Sequence, residues 1–130
     1  MKKEYFEGTW QKDRSFSPAV VTGGNARTVW VAGHGGLFDD DHRMLKGDFD
    51  AQVRQAFANI EATLGRVGAS LSDIVSMTVY IADTRHGDRF VEIRKEFFPE
   101  TFPASTLVTV TGFARPEMLV EITPVAVIAA

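Results

Sequence analysis

The chain contains no cysteine. That excludes disulfides, thiolate nucleophiles and cysteine-ligated metals, and it suits a reducing compartment. Long apolar runs are also missing. No stretch approaches the roughly eighteen apolar residues that span a bilayer, so no membrane segment is expected. The opening MKKEYFEGTWQ lacks the apolar core of a signal peptide, which leaves the cytoplasm as the expected location. A clustered basic face is absent too: the formal net charge is −3 and the basic residues are scattered. Nucleic acid is therefore not an expected partner. What remains is a 130-residue chain of ordinary apolar content, read as one domain, 1–130, large enough to bury a core without covalent staples.

The strongest pattern lies between Gly47 and Ala82. Val53, Phe57, Ile60, Leu64 and Val67 recur at gaps of four and three, which makes one apolar stripe on a helix. Gly68 suits a left-handed stop. From Ile74 the period changes to two, with Val75, Met77, Val79 and Ile81 alternating against Ser76, Thr78 and Tyr80. A helix packed on a sheet is the organising unit.

Upstream, residues 1–15 mix charges and aromatics without period. Residues 19–22 and 27–32 read as two strands joined at Gly23–Gly24–Asn25, which predicts a hairpin. Downstream, Asp83–Thr84 can cap a second helix whose face is Phe90, Ile93 and Phe97, ended by Pro99. Residues 106–111 form a β-branched strand. Residues 118–123 and 125–128 form two closing strands broken at Pro124, which cannot donate to a ladder. The order β-β-α-β-α-β-β predicts an α+β, two-layer sandwich, a mixed sheet with two helices on one face. Val29 or Val31, Leu107 and Leu119 put apolar groups on both faces of that sheet, so association of identical chains is expected.

Glu121 is the most informative single residue. It interrupts an apolar closing strand, and either a cleft carboxylate that orients water or a strand carboxylate that is paired or solvated fits the pattern. His34 lies in GHGG at a strand end. A hydrogen-bonded loop histidine is the preferred reading there, with a ligand contact as the alternative. Asp39–Asp40–Asp41–His42 lacks the alternation of a calcium loop and reads as a solvated acidic turn, so no metal is expected. There is no phosphate loop and no G-x-S-x-G elbow. Arg14, Arg27 and Arg115, near strand ends and turns, are each able to clamp a carboxylate, and each alone reads as an ordinary surface charge.

GDFDAQVRQAFANIEATLGRVGASLSDIVSMTVYIAD, together with FSPAV, VAG, FFPETFPAS and ARPEMLVEI, resembles the blocks of the RidA/YjgF family, also called reactive-intermediate deaminases or L-PSP endoribonuclease-like proteins. The resemblance covers nearly the whole chain. It implies a chorismate-mutase-like α+β fold assembled as a homotrimer with clefts between subunits. It also implies hydrolysis of enamines and imines such as 2-aminoacrylate, with neither metal nor organic cofactor. Carried over by position, Glu121 is the water-positioning glutamate and Gly33 the cleft glycine. Phe16 stands in place of the family tyrosine, and Val91 in place of an asparagine. Where deaminating members carry the arginine that binds the substrate carboxylate, this chain has Ser105.

A serine hydroxyl does not replace a bidentate guanidinium. Arg14 is the first candidate to replace it and Arg115 the second, with Ser105, Phe16, Gly33, His34 and Leu107 as further candidate substrate contacts. The resulting expectation is a small-molecule hydrolase acting on an imine, enamine or related activated C–N bond, extending to larger acids of the 2-aminomuconate type. A non-enzymatic binding or regulatory trimer using the same cleft is the alternative. RNA cleavage, suggested by one family name, ranks last.

Overall fold

A computed structural model describes residues 1–130. Its elements are β1 (Lys2–Phe6), β2 (Ala19–Gly23), β3 (Ala26–Trp30), α1 (Phe49–Gly65), β4 (Ile74–Ile81), α2 (Gly87–Arg94), β5 (Ala104–Thr109) and β6 (Val120–Ala129). Strands β3-β6-β4-β5 form a four-stranded mixed sheet in which only the β4–β5 pair is parallel, while β1 and β2 make a separate antiparallel ribbon. Both helices pack on one face of the sheet, giving the expected α+β sandwich. No helix is long and apolar enough to cross a membrane.

Helix α1 forms where the apolar spacing predicts it. Asp48 caps it by accepting from Ala51 N at 3.0 Å, and Gly68 (φ +77°) ends the following turn, where Ala69 N donates to Leu64 O. Val53, Phe57, Ile60 and Leu64 are fully buried, each worth roughly 1.5–3 kcal/mol of transfer free energy. Phe57 stacks on Phe97 at 4.6 Å and meets Phe98 edge-on at 5.9 Å. Gln52, also fully buried, stitches two loops to the helix. Its Nε2 donates to Leu45 O and Glu117 O, and its Oε1 accepts from Leu119 N.

Several expectations need correction. Val67 lies beyond the helix and is half exposed, because α1 ends at Gly65. The N-terminal segment contains a strand, β1, so the order is β-β-β-α-β-α-β-β. No β2–β3 hairpin forms, since β2 pairs with β1 and β3 pairs with β6. Strand β3 ends at Trp30 rather than residue 32, and β5 begins two residues earlier than the β-branched run. Asp83 caps a short turn, Thr84–His86, that precedes α2; the helix itself closes at Arg94, before Phe97. The closing strand is continuous through Pro124. Val31 N donates to Pro124 O at 3.3 Å, so the proline nitrogen faces that same side, where β3 has just ended and no ladder bond is lost.

The apolar surplus is also placed differently. Val31 belongs to the buried core, and Val29, Leu107 and Leu119 pack against it. The face of the sheet away from the helices instead carries Thr78, Tyr80, Glu121, Thr123 and Val125, with Trp30 79 % exposed on the edge strand.

Candidate active site

Two separate hollows gather the candidate residues. Strand β6 presents Glu121 opposite Tyr80 of β4, on the face away from the helices. With Val110, Phe113 and Thr123 they line an open hollow of about 410 Å³. The segment after β3 returns to β6 through paired backbone bonds between His34 and Ile122, at 2.8 and 3.0 Å, and so lays Gly33 against Glu121. A Cβ built on Gly33 would collide with the Glu121 carboxylate. Here the absence of a side chain, rather than backbone freedom, is what the glycine contributes.

The second hollow, about 420 Å³, opens on the helix side near β5. Ser105 pairs across the sheet with Met77, three residues from Tyr80, so Ser105 and Glu121 point to opposite faces. Ser105, Leu107, Phe16 and Arg14 all line this hollow, as does Arg94 of α2. The FSP segment is positioned by flanking serines. Ser15 Oγ donates to Val91 O at 2.8 Å; Ser17 Oγ donates to Phe102 O at 2.6 Å, and Ser17 N to Pro103 O at 3.0 Å. Phe16 is held between these anchors and packs against Trp10 with ring centroids 5.4 Å apart. Asp13 and Ser15 both adopt left-handed backbone, φ 65° and 60°. Aspartate tolerates that conformation, whereas Ser15 is held in it by its hydroxyl's bonds to Val91 O and from Arg94 Nε.

Arg94 is the residue that sequence reasoning missed. It is only 2 % exposed and has no carboxylate partner. Its Nε donates to Ser15 Oγ at 3.1 Å, Nη1 to Ser105 Oγ at 2.6 Å, and Nη2 to Arg14 O at 3.2 Å. Burial, aided by the nearby Arg14 charge, lowers its pKa to about 10, so it stays protonated at neutral pH. The available signal was its spacing, four residues after Phe90 and three after Val91, which puts a cation on the helix's buried face. Tyr80 was likewise readable only as a member of the polar face of β4.

The other candidates are engaged elsewhere. His34 Nδ1 donates to Ala32 O and Nε2 accepts from Thr63 Oγ1, both at 2.7 Å, which ties the glycine-rich segment to α1. Arg115 stacks over Phe38 with its guanidinium 5.4 Å from the ring centroid and lines neither hollow. Arg14 borders the Ser105 hollow, but its guanidinium is paired with Asp88 at 2.8 Å. In the acidic turn, Asp39 Oδ1 accepts from Asp41 N and Arg43 N, and these backbone bonds, Arg43's first, hold its carboxyl below the usual range. No three His, Asp or Glu side chains cluster as a metal site would require.

The chain is similar to proteins of several lineages. It is 32 % identical over 111 residues to a RutC family protein of Pyrococcus abyssi, covering 85 % of this chain and 84 % of the relative. A protein of Dermatophagoides farinae named 2-iminobutanoate/2-iminopropanoate deaminase is 31 % identical, with 87 % and 85 % covered. The 3-aminoacrylate deaminase RutC of Acinetobacter baylyi is 32 % identical, with 75 % and 77 % covered. Among solved structures, RidA from an Antarctic Psychrobacter superposes with a TM-score of 0.72 at 31 % identity, over 91 % of this chain and 97 % of that one. A Rid protein from Yersinia pestis shares the fold with a TM-score of 0.82 at 23 % identity, over 97 % and 98 %. The sequence model described as "Endoribonuclease L-PSP" matches residues 11–128. The chain therefore belongs to the RidA/YjgF family.

Proposed function

We propose that this chain is a hydrolytic deaminase of imines or enamines in which Glu121 positions and activates the attacking water. The observation that carries the reading is the Glu121 carboxylate laid against side-chain-free Gly33 in an open hollow. Support comes from relatives named 2-iminobutanoate/2-iminopropanoate deaminase and 3-aminoacrylate deaminase. In this mechanism a water bound to Glu121 gives up a proton to the carboxylate as its oxygen attacks the imine carbon. That proton passes to nitrogen to give a carbinolamine. Its hydroxyl proton then moves to nitrogen through Glu121 as the C=O bond forms and the C–N bond breaks, so that ammonia leaves and a carbonyl replaces the imine. No electron is gained or lost.

The chain acts as a homotrimer. Glu121 and Ser105 lie on opposite faces of one sheet, so a substrate touching both hollows is held between two copies. Trp30 and Val108, exposed on the edge strands, are the apolar groups available for that contact. Light scattering should return three times the 14.3 kDa chain mass.

The decisive experiment follows ammonia release by wild-type and Glu121→Ala protein. The substrates are 2-aminoacrylate, bulkier imino acids generated in situ, aminomuconate-type acids and neutral enamines. Glu121→Ala is expected to lose at least 10²-fold in turnover on every substrate used. Equal release by both proteins would remove Glu121 from the mechanism. No release from any substrate would overturn the deaminase reading.

A further inference from the structure

Arg94 sets up an electrostatic problem that the folded chain leaves unsolved. It is a buried guanidinium, and no acid forms an ion pair with it. The charged neighbour that shifts it is another cation, Arg14. Buried charges are ordinarily paired, because desolvation costs several kcal/mol per ion. Contact with the Phe90 ring, 5.1 Å away, offsets part of this but supplies no negative charge. The hollow beside it is short of one anion.

The hydrogen-bond directions show how an anion would be held. A guanidinium has donors only, so in the 2.6 Å contact Ser105 Oγ must be the acceptor. The Ser105 hydroxyl proton is therefore not used on Arg94 and is free to turn into the hollow. A hydroxyl already accepting from a cation is a stronger donor than an isolated one. One Nη2 proton of Arg94 also remains after the bond to Arg14 O, because each η nitrogen carries two. Around this polar end stand Trp10, Phe16, Val91 and Leu107. The wall is aromatic and apolar, and its Trp10 face is open to solvent.

We propose that Ser105 and Arg94 together form a carboxylate-binding subsite, with Ser105 as the contacting donor and Arg94 supplying the charge from behind it, and that the Trp10–Phe16 wall selects acids bearing an aromatic or large apolar substituent. Applied to the deaminase reading, on which this part rests, the preferred substrates are 2-imino acids with such substituents rather than 2-iminopropanoate. Arg14 and Arg115 are not the clamp. Arg14 instead braces the site through its carbonyl, while its guanidinium stays with Asp88.

The test uses unreactive probes, so that it does not depend on turnover. Binding of phenylpyruvate, pyruvate and phenylacetone to the intact protein is measured by calorimetry, for wild type, Ser105→Ala and Arg94→Met. Phenylpyruvate is expected to bind at least tenfold more tightly than pyruvate, which lacks the ring, and than phenylacetone, which lacks the carboxylate. Both variants should lose about tenfold or more of the carboxylate preference. Arg94→Lys should restore little, because a lysine cannot reproduce the fork. If Arg94→Met fails to fold, as circular dichroism would show, Ser105→Ala alone decides. A carboxylate preference undiminished in either folded variant overturns the subsite, and equal binding of pyruvate and phenylpyruvate overturns the selectivity. Arginine-dependent binding in a protein that releases no ammonia keeps the subsite and removes the deaminase. Ammonia release with no carboxylate preference does the reverse.

Discussion

Adding one methyl group at Gly33 separates the placement of a carboxylate from the stability of the fold. An ideal Cβ there falls 3.0 Å from Glu121 Cδ and 3.3 Å from Cγ, with Oε1 nearer still. Ordinary carbon contacts begin near ~3.5 Å, so the carboxylate must retreat by roughly 1 Å. The retreating group is the free end of a flexible side chain, and an off-rotamer torsion costs it about 0.5–1.5 kcal/mol. A misplacement of that size in a reacting group costs about 10²-fold in rate. Gly33→Ala should therefore lower kcat about a hundredfold and leave the melting temperature nearly unchanged.

Gly36→Ala is the matched control. Its Cβ would strike the α1 backbone at Gln52 O and Ala56 N, which cannot yield, and overpacking of this kind costs about 1–3 kcal/mol. The control should melt several degrees lower. Ammonia release and thermal unfolding, measured on both proteins, decide the matter. Undiminished kcat in Gly33→Ala would refute the role given to the Glu121 position. A melting loss equal to that of Gly36→Ala would show that backbone, not carboxylate, had given way.

Gln52→Leu removes three bonds from a fully buried site and orphans Leu45 O, Glu117 O and Leu119 N. Urea unfolding should show a loss of about 3 kcal/mol, and a wild-type midpoint would mean that these bonds contribute nothing net. Asp50 and Glu96 have carboxyl pKa values lowered chiefly by side-chain bonds from Arg89 and Arg54 respectively. Their contribution to stability is present above the unfolded values near ~4 and is lost as pH falls through the lower folded ones. The midpoint gap between wild type and Asp50→Asn/Glu96→Gln should close as the pH is taken down below the ordinary carboxylate range and narrow in high salt; a gap unchanged by both would refute the assignment.

The legible parts of the fold were those where period and burial coincide. Helix α1 and strand β4 could be read because their apolar residues are the ones the core hides. Strand β1 escaped because Lys2 to Phe6 follows no apolar alternation, and its only strand partner is β2. Pro124 misled because a missing donor matters only where a ladder partner exists, and which side its nitrogen faces is set by tertiary structure. The sequence placed Ser105, Phe16, Arg14, Leu107, Gly33, His34, Arg115 and Glu121 around a single cleft. Within one chain the first four line one hollow and Gly33 lies against Glu121 beside another, a division by sheet face that spacing alone does not reveal. Arg94 was passed over because a helical arginine ordinarily reaches water. Its burial depends on Ser15, held in a strained turn nearly eighty residues earlier in the chain.

One sheet stands between Glu121 and Arg94, and no side chain reaches through hydrogen-bonded strands. A reaction that draws on both groups thus follows the concentration of assembled protein rather than of total protein. Turnover per subunit would fall on dilution while occupancy of the carboxylate subsite stayed constant. The same geometry governs mixtures: subunits defective at Glu121 and subunits defective at Arg94, each inactive alone, regenerate one intact junction in every mixed trimer, the other mixed junction lacking both groups. In a cell carrying both alleles, two broken genes would add up to a working enzyme.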